Sequence, residues 1–138
     1  MVEPKSGKSK NFNVPGQASI LFAIGGLHLE YVYLSSASAD PKYADKVCKI
    51  RKHLDRMDKP FGGLYYAFVN PVSGEWGVHL LTVGTLGKTF YEYLIKSWIQ
   101  SNGTDTEARR MFDAAADAMG KHMIMKSRSG QSHELVTH

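Results

Sequence analysis

The sequence has one cysteine, no long apolar run and no large excess of charge of one sign. Each of these features excludes a class of protein. Cys48 is the single cysteine, which excludes an intramolecular disulfide and leaves a small core residue or a free thiol. No segment contains the roughly 18 consecutive apolar residues that a transmembrane helix needs. The polar leader, residues 1–16, lacks the apolar stretch of a secretory signal, so the chain taken alone is expected to stay in the cytosol without a membrane anchor.

The charge balance and the histidine distribution exclude two further classes. The 17 Lys and Arg against 13 Asp and Glu give a net charge of +4, which is too mild for a nucleic-acid-binding surface, so no nucleic-acid partner is predicted. The six histidines are scattered over different elements without the spacing of metal ligands, so the chain itself predicts no metal site. The strand-turn-helix pattern that carries a nucleophilic serine is not found either.

The sequence does have an ordinary globular composition, 43% hydrophobic and 22% charged, which is typical of one domain. Helical spacing of apolar residues predicts four helices. The first, from Ala18 to Ser36, and the third, from Lys88 to Ser101, are apolar on more than one face, which indicates burial. Gly25 and Gly26 inside the first helix indicate a break or a close approach by another backbone.

The second and fourth helices are predicted to be amphipathic. The second opens with Asp40 as N-cap and Pro41 as first helical residue, and the fourth opens with a capping box formed by Thr104 and Glu107. Between the second and third helices, the stretch 64–76 is predicted to form one short β-hairpin. The predicted fold class is therefore all-α, and its two pairs of one buried and one amphipathic helix suggest an arc of an α/α toroid.

Two carboxylates, Glu30 and Glu92, interrupt helices that are otherwise crowded with apolar side chains. Because a buried ionised carboxylate is costly unless it is paired, each either reaches a polar cavity or has a raised pKa. The alternative, which spacing alone favours, is that Glu92 pairs with Lys96 one turn later and that Glu30 lies on a solvent-facing edge. The nearby aromatic residues fit a sugar-binding cleft or an ordinary aromatic core: Tyr31, Tyr65, Tyr66, Trp76, Phe90, Tyr91 and Tyr93.

One modification motif is present. Asn102-Gly103-Thr104 is an N-glycosylation sequon, and it falls in the predicted turn between the third and fourth helices. Such tripeptides also arise by chance. The sequon is therefore compatible with a secretory compartment but does not establish one.

Several runs of residues between positions 5 and 130 match, in the same order along the chain, runs found in one known enzyme family. The longest leads from Val83-Gly84 and Leu86-Gly87 into Phe90-Tyr91-Glu92-Tyr93-Leu94 and Lys96-Ser97-Trp98. Others are Gly26-Leu27-His28-Leu29-Glu30-Tyr31, Ala44-Asp45-Lys46-Val47, Asp58-Lys59-Pro60 and Gly63-Leu64-Tyr65. In these runs the chain resembles the class I α-1,2-mannosidases, glycoside hydrolase family 47, and especially the Golgi-type members.

This resemblance implies that the complete catalytic domain is an (α/α)7 barrel. Residues 1–138 would form one part of that domain. Family members are inverting hydrolases that remove terminal α-1,2-linked mannose from high-mannose N-glycans. One carboxylic acid protonates the leaving oxygen and an opposite carboxylate activates water. The resemblance also implies the lumen of the Golgi or endoplasmic reticulum, and a calcium ion whose threonine ligand is expected outside this chain.

The resemblance also assigns roles to individual residues. Glu30 and Glu92 match acidic residues that line the family's active-site pocket, and both are expected to bind substrate. Leu86 matches a position that is Leu in Golgi-type members. Lys88 stands at the position of a catalytic Asp, and Ala23 stands where the family usually has Glu.

We expect the 138-residue chain alone to be inactive, for two reasons. It lacks the carboxylates expected at positions 23 and 88, and it resembles only a middle portion of the family's catalytic domain. The Lys88 ammonium is expected to form an ion pair with Glu92 one helical turn later. The alternative to an enzyme segment is a non-catalytic glycan-binding or interaction module derived from the same fold.

Overall fold

The structure, a computed structural model, describes residues 5–8, 18–126 and 133–135, so most of the predicted irregular leader, residues 1–16, lies outside the described residues. The helices of the described part are α1 (Leu21–Gly25), α2 (His28–Ser38), α3 (Lys42–Arg56), α4 (Lys88–Gln100) and α5 (Thr106–His122). Its strands are β1 (Ser19–Ile20), β2 (Phe68–Val69), β3 (Ile124–Lys126) and β4 (His133–Leu135), and a 3₁₀ turn spans Pro60–Gly62. None of the helices in these ranges is long and apolar enough to cross a membrane.

The first predicted helix is in fact a strand, a short helix and a longer helix. After β1, helix α1 ends at Gly25, and the Gly26 N–H closes its last turn by donating to the Phe22 carbonyl at 2.8 Å. A Cβ at Gly25 would overlap the Phe90 ring of α4, and a Cβ at Gly26 would overlap the Phe22 carbonyl oxygen. The glycines therefore mark both a break and a close approach, although the atoms closest to Gly25 belong to a side chain and not to another backbone.

Helices α2 and α4 are buried on one face only, so the prediction of burial on several faces is wrong for both. His28 is the one buried residue of α2, and Tyr33 is 70% exposed. Helix α4 buries a stripe of four residues and leaves Ile99 60% exposed. Within the described part of the chain, α2 packs against α3 and α4, and α4 packs against α1, α2 and α5, so the opposite apolar faces remain in contact with solvent.

Helices α3 and α5 are amphipathic, as predicted. Helix α3 buries Val47 and Leu54 and exposes its basic face, which consists of Lys46, Lys49, Lys52 and Arg56. Helix α5 buries Met111 and Ala115, and its predicted polar face is exposed: Arg109, Arg110, Asp113 and Asp117. The 3.6-residue period was therefore sufficient for both helices, since each has one apolar face and one polar face.

The ends of these helices follow the prediction only in part. The N-cap of α3 is Pro41 and not the predicted Asp40, because the helix begins at Lys42, although Asp40 Oδ1 does accept a hydrogen bond from the Lys42 N–H at 3.0 Å. The predicted capping box of Thr104 and Glu107 is wrong, because Asp105 is the N-cap of α5 and its Oδ1 accepts from the Ala108 N–H at 3.1 Å. The sequence could not identify the N-cap, because residues 104–106 all have side-chain oxygen atoms that can accept a capping hydrogen bond.

The short strands form two separate two-stranded antiparallel sheets. Strand β2 lies inside the stretch predicted as a hairpin, and Val69 forms an isolated bridge with Trp76 across the turn. The longer pairing of β2 is with β1, in the register Ser19 to Val69 and Ile20 to Phe68, which the sequence did not indicate. The pairing of β3 with β4 was also not predicted. The structure remains mainly helical.

The two helical pairs of the prediction are present, since α2 packs on α3 and α4 packs on α5, and α1 contacts both α3 and α4. One apolar cluster fills the space among these helices and includes Leu21, Leu54, Tyr65, Phe90, Leu94 and Met111. A smaller cluster of Leu64, Leu81, Ala118 and Met123 closes the end of α5. Cys48 is a half-buried free thiol, and burial raises its pKa.

Candidate functional site

The two predicted substrate-binding carboxylates lie at the surface on adjacent helices. Glu30 is in the first turn of α2, and Glu92 is in the first half of α4. The Tyr93 hydroxyl donates a hydrogen bond to Glu30 Oε1 at 2.8 Å, and this bond raises the pKa of Tyr93. Glu30 is exposed, as the alternative interpretation expected, and it lies next to the residue that follows Glu92.

Lys88 is the first residue of α4, and its ammonium group is paired with Glu92. Lys88 Nζ lies 3.4 Å from Glu92 Oε1, and Lys96 Nζ lies 3.9 Å from Glu92 Oε2, so both expected partners of Glu92 are in place. The Lys88 side chain is 65% exposed and that of Glu92 is 41% exposed. Exposed pairs of this kind contribute only tenths of a kcal/mol to stability, about 0.3 to 0.5. Their main effect is on local charge, since two ammonium groups offset one carboxylate.

The loop that precedes α4 is fixed by its own backbone and by α1. The Lys88 N–H donates to the Gly84 carbonyl at 2.8 Å, and the Phe22 N–H of α1 donates to the Leu86 carbonyl at 3.2 Å. Ala23, which follows Phe22, is half-buried. The two positions where the resemblance expects a carboxylate, Ala23 and Lys88, therefore lie on neighbouring segments that a hydrogen bond joins.

Most of the aromatic residues near these carboxylates belong to the core. Tyr65 and Phe90 are almost completely buried, and their rings meet edge to face with centroids 4.8 Å apart. The Tyr65 N–H donates to the Tyr91 hydroxyl oxygen at 3.0 Å, which satisfies that polar atom inside the core. Of the two interpretations that the sequence left open, the aromatic core is correct for these three residues, whereas Tyr31 is exposed and Tyr93 is half-buried.

A second cluster of functional groups, centred on Arg51, was missed at the level of sequence. The Arg51 guanidinium forms a bidentate ion pair with Asp105, with distances of 2.7 Å and 2.9 Å, and its Nε donates to Glu107 Oε1 at 3.1 Å. Its Nη1 also lies 3.1 Å from Ser97 Oγ and 3.1 Å from His28 Nε2. One buried guanidinium therefore connects α2, α3, α4 and the start of α5.

The electrostatics of this Arg51 cluster follow from its burial. Burial and, to a smaller extent, the adjacent Arg51 charge together lower the pKa of His28 to about 4, so the ring is neutral and Nε2 accepts from Arg51. Burial acts to raise the pKa of Asp105, but hydrogen bonds from Arg51, Ser97 and the Ala108 N–H outweigh it and bring the pKa below its ordinary value. The cluster is thus a neutral histidine beside a fully ionised pair.

One signal in the sequence could have identified this cluster. Arg51 lies four residues after Val47 and three before Leu54, which places its side chain on the buried stripe of α3 and not on the basic face. A charged residue on an apolar stripe requires a partner, because an unpaired buried charge is very costly. The identity of that partner, 54 residues further along the chain, has no local signature.

A metal ion in a protein is held by several donor side chains that lie close together. Across residues 5–8, 18–126 and 133–135, no group of three or more His, Cys, Asp or Glu side chains is arranged to hold a metal. Calcium in proteins is bound by six to eight oxygen atoms. Glu30 and Glu92 do not form such a set, so these residues by themselves do not fit a calcium ion.

Comparison with known protein sequences gives a consistent result. A sequence model described as "Glycosyl hydrolase family 47" matches residues 1–138. "Mannosyl-oligosaccharide 1,2-alpha-mannosidase IB" of Mus musculus is 48% identical over 131 residues, which cover 94% of this chain and 20% of that protein. "Mannosyl-oligosaccharide 1,2-alpha-mannosidase IA" of Sus scrofa is 46% identical over 130 residues, with the same coverage of 94% and 20%. The chain thus spans about a fifth of the length of these curated relatives.

A solved structure resembles the fold. The alpha-1,2-mannosidase from Trichoderma reesei superposes with a TM-score of 0.81 and 24% sequence identity, over 88% of this chain and 26% of that chain. At this identity the likeness concerns the fold alone. It confirms the predicted fold class, in which the two helical pairs form an arc of an α/α barrel.

Proposed function

The chain belongs to glycosyl hydrolase family 47, and from this membership we propose that it is a segment of an α-1,2-mannosidase that acts on terminal α-1,2-linked mannose of a high-mannose N-glycan. The curated relatives named above are mannosyl-oligosaccharide 1,2-alpha-mannosidases, which supports this substrate class. The structural observation that carries the proposal is the Tyr93–Glu30 hydrogen bond, because it joins Glu30 of α2 to the residue that follows Glu92 on α4. The resemblance points to the Golgi or endoplasmic reticulum lumen as the compartment.

In this proposal, Glu30 and Glu92 bind the sugar. A carboxylate accepts hydrogen bonds from two vicinal hydroxyl groups, and such charge-assisted bonds are shorter and stronger than neutral ones. The Tyr93 hydroxyl keeps the Glu30 carboxylate in place and leaves Oε2 without a partner from Tyr93. The exposed Tyr31, on the turn of α2 that follows Glu30, offers an apolar surface for a pyranose ring.

The hydrolytic step is expected to be weak because of Lys88. Inverting hydrolysis needs one protonated carboxyl group and one carboxylate on opposite sides of the glycosidic bond. An ammonium group at the position of the second cannot take a proton from water at neutral pH, and loss of a general base typically costs about 10² to 10⁴ in rate. No step is assigned to calcium here, and the described residues do not by themselves form a site for it.

The ion pair between Lys88 and Glu92 favours a second candidate function, a glycan-binding module without hydrolysis. The pair offsets the charge of Glu92 and places an ammonium group where the mechanism needs a carboxylate to activate water. Under this alternative the chain still binds a mannose-containing glycan through Glu30. The two candidates differ in mannose release and not in binding.

A chimaera separates these functions. Residues 1–138 replace the matching segment of a complete active relative, with Lys88 either retained or changed to Asp, and mannose release from an α-1,2-linked disaccharide is measured. We expect release to rise by about 10² or more with Lys88→Asp. Lys96→Asp is the matched control, since Lys96 also pairs with Glu92 but lies two turns further along α4.

Two outcomes contradict the assignment of Lys88. Equal release by the retained and changed chimaeras means that residue 88 does not stand at the catalytic position. A chimaera that carries both Lys88→Asp and Ala23→Glu, folds and binds the disaccharide but releases no mannose leads to the same conclusion. If neither chimaera binds the disaccharide although both fold, the proposed role of Glu30 and Glu92 is wrong.

A further inference from the structure

The turn between α4 and α5 carries a modification motif that the proposed function does not use. The sequence has four asparagines, and Asn102, in Asn102-Gly103-Thr104, is the one followed two residues later by Ser or Thr. The residues two positions after the other three asparagines are Asn13, Pro15 and Val72. A single position in the chain could therefore accept an N-linked glycan.

The backbone explains why the turn presents Asn102 to solvent. Asn102 has φ of 53° and Gly103 has φ of 79°, so both residues are left-handed and the chain leaves the helix abruptly. The Asn102 N–H donates to the Ile99 carbonyl at 3.0 Å, and the Gly103 N–H donates to the Trp98 carbonyl at 2.9 Å. These backbone bonds complete the C-terminal turn of α4 without any contribution from the Asn102 side chain.

The Asn102 carboxamide itself is exposed and makes no hydrogen bond with any residue in the part of the chain that the structure describes. The Thr104 hydroxyl, also exposed, donates to the Ser101 carbonyl at 2.9 Å, which keeps it on the outside of the same turn. The residues packed beneath are Trp98 and Arg109, whose guanidinium carbon lies 4.9 Å from the Trp98 ring centre. A bulky group on Asn102 Nδ2 can therefore extend into solvent without displacing a packed side chain.

We propose that Asn102 is an N-glycosylation site. In this reaction a bond forms between Asn102 Nδ2 and the anomeric carbon of an oligosaccharide carried on a diphospho-lipid. The bond from that carbon to the diphosphate oxygen breaks, the diphospho-lipid leaves with the electron pair, and Nδ2 loses one proton. Because α4 rises by about 18 Å from Lys88 to Gln100, the glycan is attached at the end of the helix opposite to Lys88.

The test uses the full 138-residue chain behind a cleavable secretory leader and a linker that contains one reference sequon. The chain is translated in the presence of microsomes and analysed by gel mobility before and after digestion with an endoglycosidase that removes N-glycans. The linker glycan reports entry into the lumen for every molecule. The outcome therefore depends on Asn102 and not on the compartment that the natural protein reaches, nor on whether it releases mannose.

The expected result is two glycans on the unchanged chain and on Thr104→Ser, and one glycan on Asn102→Asp and Thr104→Ala. Asn102→Asp is the matched variant, because Asp is also tolerated in the left-handed region but has no amide nitrogen to modify. One glycan on the unchanged chain overturns the proposal, since the linker glycan proves that the chain was in the lumen. Two glycans on Asn102→Asp overturn it as well, since the second glycan would then lie elsewhere.

Discussion

At the scale of single residues, Arg51 carries more of the structure than either carboxylate of the candidate sugar site. Glu30 and Glu92 make exposed contacts, whereas the Arg51 guanidinium is held by groups from three other parts of the chain. Removal of one partner from a buried ion pair is destabilising because it leaves the other charge buried and unpaired. The Arg51 cluster is therefore expected to determine stability, and the Glu30 surface to determine binding.

We expect Arg51→Ala to lower the free energy of unfolding by roughly 3 to 5 kcal/mol, because Asp105 would remain largely buried without its bidentate partner. Urea denaturation monitored by circular dichroism measures this change. Lys52→Ala is the matched control, since Lys52 is the next residue on α3 and is exposed, and its effect should stay within about 0.5 kcal/mol. Equal loss in the two variants would contradict the role given to Arg51.

The buried His28 predicts a specific dependence of stability on pH. Its pKa is about 4 in the folded chain and 6.5 when unfolded, so the unfolded state binds more protons between these values and stability falls as pH falls from 6.5 to 4. At about 1.4 kcal/mol for each pH unit, the loss amounts to about 3 kcal/mol. Asp105 also contributes to stability, because its pKa is lower in the folded chain than its ordinary value of 3.8. This contribution is lost only when the pH falls below 3.8.

Unfolding of the unchanged chain and of His28→Gln should be followed by urea denaturation at several values between pH 4 and pH 7. The Gln side chain can still accept a hydrogen bond from Arg51 but does not titrate, so the slope of stability against pH should flatten in this window. His53→Gln is the control, since His53 is exposed. A slope unchanged by His28→Gln would refute the assignment of the titration to His28.

At the scale of elements, the sequence was sufficient for helices that have one apolar and one polar face. Helix α4, predicted from Lys88 to Ser101, spans Lys88–Gln100, and α3 and α5 begin within about two residues of their predicted starts. The prediction was least accurate over residues 18–36, where apolar residues on all sides gave no period to reveal the strand or the break. Gly25 and Gly26 were the one local sign of that break. Strands of two or three residues are too short for an alternating pattern to appear.

Only those features of the candidate site that depend on residues close together in the sequence could be predicted. Glu30 and Glu92 stood out because they interrupt apolar runs, and the pairing of Glu92 with Lys88 followed from helical spacing. The contact between Glu30 and Tyr93 joins residues 63 positions apart, and that between Arg51 and Asp105 joins residues 54 positions apart. Packing of α2 against α4 creates the first contact, and the position of α3 beside the start of α5 creates the second, so no short segment encodes them.

Gly25 tests the packing of α1 against α4. We expect Gly25→Ala to destabilise the chain by about 1 to 3 kcal/mol, because its Cβ would overlap the Phe90 ring. Gly120→Ala on α5 is the matched control, since a Cβ there meets no atom within 4 Å and the change should stabilise by up to about 1 kcal/mol. Thermal unfolding gives both values, measured as shifts in Tm.

A second substitution identifies the contact responsible. Phe90→Leu removes the ring that the added Cβ would meet, so the double variant with Gly25→Ala should lose less stability than the sum of the single variants. Additive losses would mean that Gly25 is constrained by its backbone and not by Phe90. In that case the close approach of α1 to α4 would not explain the glycine.

At the scale of the whole molecule, the described helices leave several apolar side chains of α2 uncovered. Leu27, the N-cap of α2, recurs at helical spacing with Tyr31 and Leu34, and all three are exposed, as is Tyr33. Ile99 on α4 adds a further exposed apolar side chain. Contiguous apolar surface of this kind on a soluble chain promotes association. The net charge of +4 on 138 residues is too small to prevent association by repulsion.

We therefore expect the 138-residue chain to self-associate in a concentration-dependent manner, with a broad and concentration-dependent melting transition. Sedimentation velocity over a wide concentration range measures the association. The double variant Tyr33→Gln with Leu34→Gln should shift the distribution toward monomer, because it removes two of the exposed apolar side chains of α2. Val72→Ser is the control: Val72 is 88% exposed but lies in a loop outside this surface, so its removal should leave the distribution unchanged. If the chain is a monomer at every concentration and unfolds in a sharp two-state transition, the exposed apolar residues of α2 do not cause association. If both variants change the distribution equally, the surface that associates does not include α2.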